Sequence, residues 1–510
     1  MRPSPTITLP AVTPDDLANG LLLLLPVLVV VVTATIALIL DLAPPEWVSR
    51  RFLQWVSAFG LVVAIVYVAA LAPLAQRSPR AFGGFLALDS FALFFEFLFL
   101  VAALLVILSA NTFADRQESA EGEFYVIALF STAGLMLMAQ AAELISIYVS
   151  LELSSLGLAF LAASNKRDRL ADQGRKSTEA GMKYLLLSAM SSAILLYGMA
   201  LMYGISGATT LADIARAFSR DSTPAVILSM AMIIAGFGFK IAAAPFQLWT
   251  PDVYQGAPTP ATAFFSVASK AAGFAVVLRV LNEALPGLTV EWTGVFGVLA
   301  FITMTVGNLV ALVQTNIKRL MAYSSITHVG YLLVGIATAS PFANSGILYY
   351  LLAYTFTNMA AFIVITIMAR YVPDDSISGY VGLAKRAPIL ALGLTAALLS
   401  LAGIPPFVGF FAKLYLFLAA IERGNLGLQF LVVWAVIMSA LSLYYYGRVI
   451  HAMWMREVEP AVAATQTEPL RTAFSQWVAL AASLVGVLFT GLAAAPLLAA
   501  AQTAANTLTP

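Results

Sequence analysis

Long apolar segments recur about fourteen times along this chain, and each has close to the ~20 residues that a helix needs to cross a bilayer. Only 10% of the 510 residues are charged and 61% are apolar, which excludes a set of water-soluble domains. We therefore predict an all-α, polytopic membrane protein with about fourteen transmembrane helices. Between the fourth and the fifth predicted helices, only the segment 140–143 interrupts the apolar run. The last helix is expected over Trp477–Ala500.

The composition also limits the chemistry of the chain. The formal net charge is +1, so the charge balance indicates neither nucleic acid nor an acidic substrate as a partner. The chain has no cysteine, which excludes disulfides and iron–sulfur clusters held by thiolates. The two histidines, His328 and His451, lie far apart in sequence and offer little for haem or zinc. We expect no redox cofactor and no metal on this chain.

Two predicted helices contain proline in similar settings. The seventh carries Pro245, and the twelfth carries Gly403, Pro405 and Pro406. Proline removes an amide donor and clashes with the preceding turn, so each helix should break into two halves. The two helices are five apart, and repeats with an odd number of spans are inverted in the membrane. Broken helices at matching positions of inverted repeats are typical of transport pathways.

These patterns predict four regions. Helices 1–3 occupy residues 1–123, a first repeat of helices 4–8 occupies 124–285, a second, inverted repeat of helices 9–13 occupies 286–455, and helix 14 lies within 456–510. The polar opening, Met1–Asn19, lacks the basic region of a cleaved signal peptide, so the first span should be retained.

The distribution of basic residues predicts the orientation. If odd-numbered helices end in the cytoplasm, sixteen Lys and Arg lie on that side and seven on the other. The positive-inside rule then places both termini outside the cytoplasm. The cytoplasmic set is Arg50, Arg51, Arg116, Lys166, Arg167, Arg169, Arg175, Lys176, Lys318, Arg319, Arg370, Lys385, Arg386, Arg448, Arg456 and Arg471. The opposite set is Arg2, Arg77, Arg80, Arg216, Arg220, Arg279 and Arg423.

Four charged residues fall inside predicted helices near the proline breaks or deep in the apolar segments: Glu152, Lys240, Lys270 and Lys413. Each would cost ~2.5–3.5 kcal/mol at the bilayer centre, so all should face the protein interior or water. Burial destabilises charged lysine and a nearby carboxylate stabilises it, which suits lysine to proton relay. Glu152 is the predicted partner of Lys240. We align His328 with Glu152 in the second repeat, as a relay between Lys270 and Lys413.

Simpler interpretations stand beside these. Any one internal lysine can be a structural ion pair, and His328 can be an ordinary interior histidine. Lys183 opens the sixth helix and can extend to the membrane surface. The remaining polar residues have structural interpretations: Glu96 as a local structural group, Glu143 at a water-facing helix boundary, and His451 at the interface.

Five motifs resemble one known family. They are AAELISIYVSLELSSLGLAFLAA, AGMKYLLLSAMSSAILLYGMALMYG, FGFKIAAAPFQLWTPDVYQGAPTPATAFFSVASKAAG, NIKRLMAYSSITHVGYLLVG and LAGIPPFVGFFAKLYLF. Their order and spacing between Phe124 and Met455 resemble the subunit N (subunit 2) family of bacterial and plastid NADH-quinone oxidoreductase, complex I. The first three helices and the last match in number and apolarity only.

The resemblance implies an antiporter-like, proton-pumping subunit of the membrane arm. By motif position, Glu152 and Lys240 match the family's coupled glutamate–lysine pair. Lys270 matches the central lysine of the eighth helix, and Lys413 matches the exit-side lysine of the twelfth. His328 matches a polar position of the central axis, and Lys183 the lysine that opens the sixth helix.

We therefore expect proton translocation coupled to quinone reduction elsewhere in a complex that oxidises NADH or, in photosynthetic relatives, ferredoxin. The resemblance implies quinone, flavin and iron–sulfur clusters in other subunits. It also implies other membrane-arm subunits, including sister antiporter-like subunits, as partners in the inner or another energy-transducing membrane. The alternatives are a subunit of a multi-subunit cation/proton antiporter, which copurification with redox subunits would exclude, and a structural scaffold, in which the lysines would be dispensable.

Overall fold

The computed structural model describes residues 14–44, 48–76, 80–110, 121–165, 171–218, 223–372, 374–457 and 470–508. Seven of the basic residues counted above lie outside these ranges: Arg2, Arg77, Arg116, Lys166, Arg167, Arg169 and Arg220. The fourteen main helices are α1 Leu25–Leu42, α2 Arg50–Ala75, α3 Ser90–Ser109, α4 Glu121–Gln140, α5 Leu144–Ala162, α6 Ala171–Ser206, α7a Pro224–Ile241 with α7b Trp249–Gly256, α8 Thr259–Ala284, α9 Thr289–Ala311, α10 Ile317–Thr338, α11 Pro341–Met368, α12a Pro388–Ala402 with α12b Val408–Glu422, α13 Leu426–Trp454 and α14 Phe474–Leu492.

Shorter elements complete the description. Shorter helices and helical turns lie at Pro14–Leu23, Phe82–Gly84, Leu211–Ala217, Pro286–Leu288, Ile377–Tyr380, Leu383–Arg386 and Ala494–Asn506. Helix α8 contains π-helical segments at Phe265–Ser269 and Val280–Ala284. A small antiparallel sheet pairs β1 Arg80–Ala81 with β2 Leu86–Ala87.

The predicted all-α membrane architecture is confirmed. In the described residues, 13 helices are long and apolar enough to span a membrane, and the twelfth is built from two shorter helices. The fourth and fifth helices separate at the expected segment, because α4 ends at Gln140 and Glu143 caps α5. The prediction of one continuous fourteenth helix over Trp477–Ala500 was wrong. The helix is interrupted at Ala493, since the ring of Pro496 would clash with the carbonyl of Leu492 in a continuous helix.

Both helices that were predicted to break do so, and they break in the same way. Ala242 and Gly403 adopt left-handed backbone conformations with φ of 62° and 89°. The amide N–H of the next residue then donates to the carbonyl oxygen five residues earlier, Ala243 N to Gly238 O at 2.9 Å and Ile404 N to Leu399 O at 3.1 Å. This is the Schellman type of helix ending, in which the last carbonyls find partners outside the helix. The predicted breaks are thus confirmed.

Contacts between α4 and α5 recur between α9 and α10. Glu143 caps α5 and pairs with Thr210, and Asn316 caps α10 and pairs with Ser376. Asn316 follows Glu143 by 173 positions, whereas Ser376 follows Thr210 by 166. The N-caps therefore give a residue-by-residue register between the two helix pairs.

Two glycines give the same register. A Cβ at Gly134 would lie 2.9 Å from Ser154 N, and one at Gly307 would lie 2.7 Å from Thr327 N. Both members of the second contact follow the first by 173 residues. Glycine at these two positions lets the α4/α5 and α9/α10 backbones pack closely.

Ionic contacts cluster at opposite ends of the helices. At one end, Arg319 Nη1 contacts Asp252 Oδ1 at 2.9 Å, which joins α10 to α7b. At the other end, Arg279 lies at the C-terminal part of α8 and pairs with Asp89, the N-cap of α3, at 3.0 Å. Arg279 is only 1% exposed, so counting it as a loop cation in the opposite set was wrong. Its burial follows from this ion pair.

Candidate functional site

Lys240 lies in the last turn of α7a and is buried. Its ammonium donates to Ser155 Oγ at 3.0 Å and Ser154 Oγ at 3.2 Å, both on α5. The backbone groups freed by the break find other partners, since Trp249 Nε1 donates to Phe239 O and Ala244 N donates to Thr303 Oγ1, each at 3.0 Å. The break thus leaves the lysine with neutral hydroxyl partners.

Glu152 lies on the same helix as the two serines that bind Lys240, and it accepts a hydrogen bond from Ser192 of α6. Within the described residues, no ion pair within 4.0 Å joins Glu152 to Lys240. A narrow recess beside the lysine is lined by Ser155, Ser192 and Lys240 among others. The predicted partners are therefore both held by serine hydroxyls, without a direct contact between them.

Lys270 follows the π-helical segment of α8 and is buried. Its ammonium donates to Ser325 Oγ of α10 at 2.6 Å and lies 5.7 Å from the ring centroid of Tyr254. Two nearby buried hydroxyls, Ser269 Oγ and Tyr254 Oη, have no protein partner in the described part of the chain. Buried polar atoms of this kind are normally satisfied by ordered water.

His328 lies on α10 between two tyrosines. Its Nδ1 is 2.6 Å from Tyr350 Oη on α11, and its Nε2 is 3.4 Å from Tyr446 Oη on α13. Tyr446 also contacts Ser324 Oγ at 2.5 Å, and Ser324 precedes the serine that binds Lys270. The histidine thus connects α10 to α11 and α13 through two tyrosine hydroxyls.

Lys413 lies on α12b and binds the end of α12a. Its ammonium donates to Leu401 O and Ala402 O, each at 2.9 Å, and to Ser439 Oγ at 2.8 Å. The lysine thus satisfies the carbonyls freed by the break. A cation at a helix C-terminus is favoured by the helix dipole. Lys413 also lies 5.1 Å from the ring centroid of Tyr331, which packs against His328.

The N-cap register corrects one alignment. Glu152 lies nine residues after the Glu143 cap, and the residue nine positions after Asn316 is Ser325, so pairing Glu152 with His328 was wrong. The counterpart of Glu152 is thus Ser325, whose hydroxyl accepts from Lys270. The second helix pair therefore has no carboxylate at this position.

Lys183 lies away from the buried lysines. It is 42% exposed and pairs with Asp252 and Glu179, each at 2.8 Å. Burial disfavours ionisation of Asp252, but hydrogen bonds from Lys183 and Arg319 outweigh it and hold the pKa of that carboxyl below its usual range. This cluster connects α6, α7b and α10 at the end of the helices.

Sequence reasoning missed the hydroxyl groups that connect the charged residues, chiefly Ser325, Tyr350 and Tyr446. The adjacent tyrosines at 349–350 and 444–446 are a signal, because a buried Tyr hydroxyl requires a partner. No group of three His, Cys, Asp or Glu side chains that could hold a metal ion occurs among the described residues.

The sequence is similar to membrane subunits of known quinone oxidoreductases. Residues 141–442 match the family described as NADH:quinone oxidoreductase/Mrp antiporter, TM. NADH-quinone oxidoreductase subunit N of Trichlorobacter lovleyi is 46% identical over 81% of this chain and 83% of its own length. NAD(P)H-quinone oxidoreductase subunit 2 of Thermosynechococcus vestitus is 41% identical over 88% of this chain and 84% of its own length.

The fold is similar to that of a solved complex I structure. A chain of respiratory complex I from Thermus thermophilus superposes with a TM-score of 0.74 and 30% identity, over 93% of this chain and 98% of that chain. The resemblance seen in the motifs thus extends over most of the sequence and over the fold. This chain belongs to the NADH:quinone oxidoreductase/Mrp antiporter transmembrane family and, within it, to the family of NADH-quinone oxidoreductase subunit N.

Proposed function

We propose that this chain is a proton-translocating membrane subunit of a complex I type NADH-quinone oxidoreductase, and that Glu152, Lys240, Lys270, His328 and Lys413 carry the protons. One observation carries the assignment of these residues. Three buried lysines lie on three different helices, and each is held by hydroxyl or carbonyl oxygens instead of a carboxylate. A structural ion pair would have a carboxylate partner within contact distance.

The neutral partners make each lysine able to give up its proton. A lysine paired directly with a carboxylate retains its proton, whereas one held by neutral oxygens can exist in either form. Movement of Glu152 towards or away from Lys240 would favour one form or the other. The carboxylate acts as a switch, and the lysine as the proton carrier.

The polar groups suggest the order of the pathway. Lys270 contacts Ser325, and the neighbouring Ser324 leads through Tyr446 to His328. Beyond His328, Tyr331 packs against both the histidine and Lys413. We assign Lys270 and His328 to the central segment and Lys413 to the end distant from Lys240. Lys183 is left with a supporting role in the surface ion cluster.

The proposal also covers the internal repeats of the chain and its partner subunits. Residues 124–285 and 286–455 form two inverted five-helix repeats, with 1–123 and 456–510 flanking them. Other membrane-arm subunits, including sister antiporter-like subunits, are the partners, and quinone, flavin and iron–sulfur clusters belong to other subunits. Recovery of redox subunits with this chain in mild detergent is expected; recovery with cation-antiporter subunits alone would favour the antiporter alternative.

A double-mutant cycle tests the switch. Lys240→Ala and Glu152→Ala should each lower proton pumping and coupled quinone reduction in an assembled complex, and the double variant should lose less than the product of the two effects. Solvent-exposed Lys385→Ala is the matched control and should pump at the wild-type level. Strictly multiplicative losses from assembled complexes would show that the two residues act independently.

A further inference from the structure

Glu96 is a buried carboxyl group that the lysine pathway does not use. It lies six residues into α3, ~9 Å along the helix axis from Ser90, and has no exposed surface. Phe95 and Phe99 of the same helix are buried around it. A charged carboxylate in such surroundings requires a cation or several donors to offset the cost of its burial.

The hydrogen bonds of Glu96 are those of a neutral acid. Gln140, the last residue of α4, donates from Nε2 to Glu96 Oε1. Glu96 Oε2 and Gln140 Oε1 are both buried and have no partner in the described part of the chain. An ionised carboxylate only accepts, so it could not satisfy the amide oxygen. A proton on Oε2 supplies the missing donor, because a carboxylic acid and a primary amide can form two antiparallel hydrogen bonds.

The neighbouring charges balance without Glu96. Arg279 pairs with Asp89 and with Glu283, and Arg80 also pairs with Glu283. Two guanidinium groups therefore face two carboxylates, and the Arg279 Nε–H donates to Ala139 O. Asp89 precedes α3 and Ala139 precedes Gln140, so this cluster adjoins the Glu96 pair. Among the described residues, no cation lies within ion-pair distance of Glu96.

We propose that Glu96 is a proton-binding site separate from the lysine pathway: a neutral carboxylic acid that forms a two-bond pair with Gln140 and joins α3 to α4. Its proton stays in place while the lysines exchange theirs. The pair lies beside the balanced Arg80–Asp89–Arg279–Glu283 cluster, so ionisation of Glu96 would leave one uncompensated negative charge there.

Infrared spectra of the assembled complex, taken as the difference between wild type and variant, test this site. The wild type should show, at neutral pH, the carbonyl stretch of a buried protonated carboxylic acid, and Glu96→Gln should lack it. Glu143 is the matched control, because this buried carboxyl accepts from both Ser146 N and Ser146 Oγ, as a carboxylate does. Glu143→Gln should remove a carboxylate band and retain the acid band.

Two further variants separate the possible outcomes. Gln140→Leu should shift the acid band of Glu96 to higher frequency without abolishing it, because only its hydrogen bonds are lost. Glu96→Gln has the shape of the neutral acid, so it should assemble and pump at the wild-type level. Loss of a carboxylate band in Glu96→Gln, or failure of this variant to assemble, would overturn the neutral-acid assignment. Normal assembly with lost pumping would overturn the fixed proton.

Discussion

Lys413 shows how one side chain can combine a structural and a proton-carrying role. The carbonyls of Leu401 and Ala402, freed by the break in α12, both accept from its ammonium. Loss of the proton removes the charge from the end of α12a and leaves the amine one lone pair to accept. Protonation of this lysine is therefore coupled to the packing of the two half-helices, whose carbonyls depend on it.

Substitution of Lys413 by arginine separates the two roles. Arginine keeps the positive charge at the carbonyls of α12a but does not deprotonate in proteins. Lys413→Arg should assemble, but the number of protons that it pumps per quinone reduced should fall by about tenfold or more. Loss of a positioned proton-transfer group typically costs ~10²-fold or more. Proton release into vesicle exteriors, measured against quinone reduction, checks this. A wild-type ratio would leave Lys413 with the structural role alone.

Arg279 has a purely structural role by the same reasoning. Its guanidinium is buried and binds two carboxylates, Asp89 and Glu283. Arg279→Gln leaves both carboxylates buried with reduced compensation, so it should destabilise the assembled subunit by about 3–5 kcal/mol. Thermal denaturation of the detergent-solubilised complex checks the loss. Exposed Arg216, which among the described residues pairs only with Asp213 on its own helix, is the control, and Arg216→Gln should change the transition little.

The charged residues of the site could be found from sequence because charge is rare in apolar helices. Lys240, Lys270 and Lys413 stand out for this reason alone. The hydroxyl partners could not be found in this way, since Ser and Tyr are frequent in membrane helices and only the helix rotations decide which of them face the lysines. The alignment of His328 with Glu152 failed because it rested on motifs instead of the N-caps.

At the scale of elements, proline made the breaks predictable. Pro245 and Pro406 remove amide donors in the middle of apolar segments, which no continuous helix accommodates at low cost. The π-helical segment Phe265–Ser269 has no such signal, because its residues are ordinary helix residues and the extra residue is fitted by tertiary packing. Its place just before Lys270 is typical of π-helical segments at functional sites.

Close packing of α9 on α10 depends on Gly307. A Cβ at this position would lie 2.7 Å from the backbone nitrogen of Thr327 and 3.0 Å from the carbonyl oxygen of Tyr323. Backbone atoms cannot rotate away, so Gly307→Ala should separate the helices and destabilise the subunit by about 1–3 kcal/mol. Gly294 of the same helix has open space around its Cβ position, and Gly294→Ala should stabilise slightly or have no effect. Thermal denaturation of both variants checks this, and equal transitions would contradict the contact.

At the scale of the whole molecule, ionic and backbone contacts sort the connections to two ends. Arg448 donates to Leu312 O and Gln314 O, which brings the C-terminal part of α13 to the connection between α9 and α10. The connection after α9 also carries Arg319, which joins α7b through Asp252. Arg80 and Glu283 meet at the opposite end. Arg319 and Arg448, both of the predicted cytoplasmic set, thus lie at one end of the helices, and Arg80 and Glu283 lie at the other.

The side of the membrane on which each end lies is our last prediction. The first end carries Arg319 and Arg448 of the cytoplasmic set, so the positive-inside rule places it in the cytoplasm and both termini outside. Removal of Arg279 from the opposite set, because it is buried in an ion cluster, strengthens the asymmetry. Reporter fusions after Arg175 and at Pro510 should show activity on opposite sides, cytoplasmic for the first and extracytoplasmic for the second. If both reporters reported the same side, the number of membrane crossings between them would be even instead of odd, and the assignment of fourteen spans would be wrong.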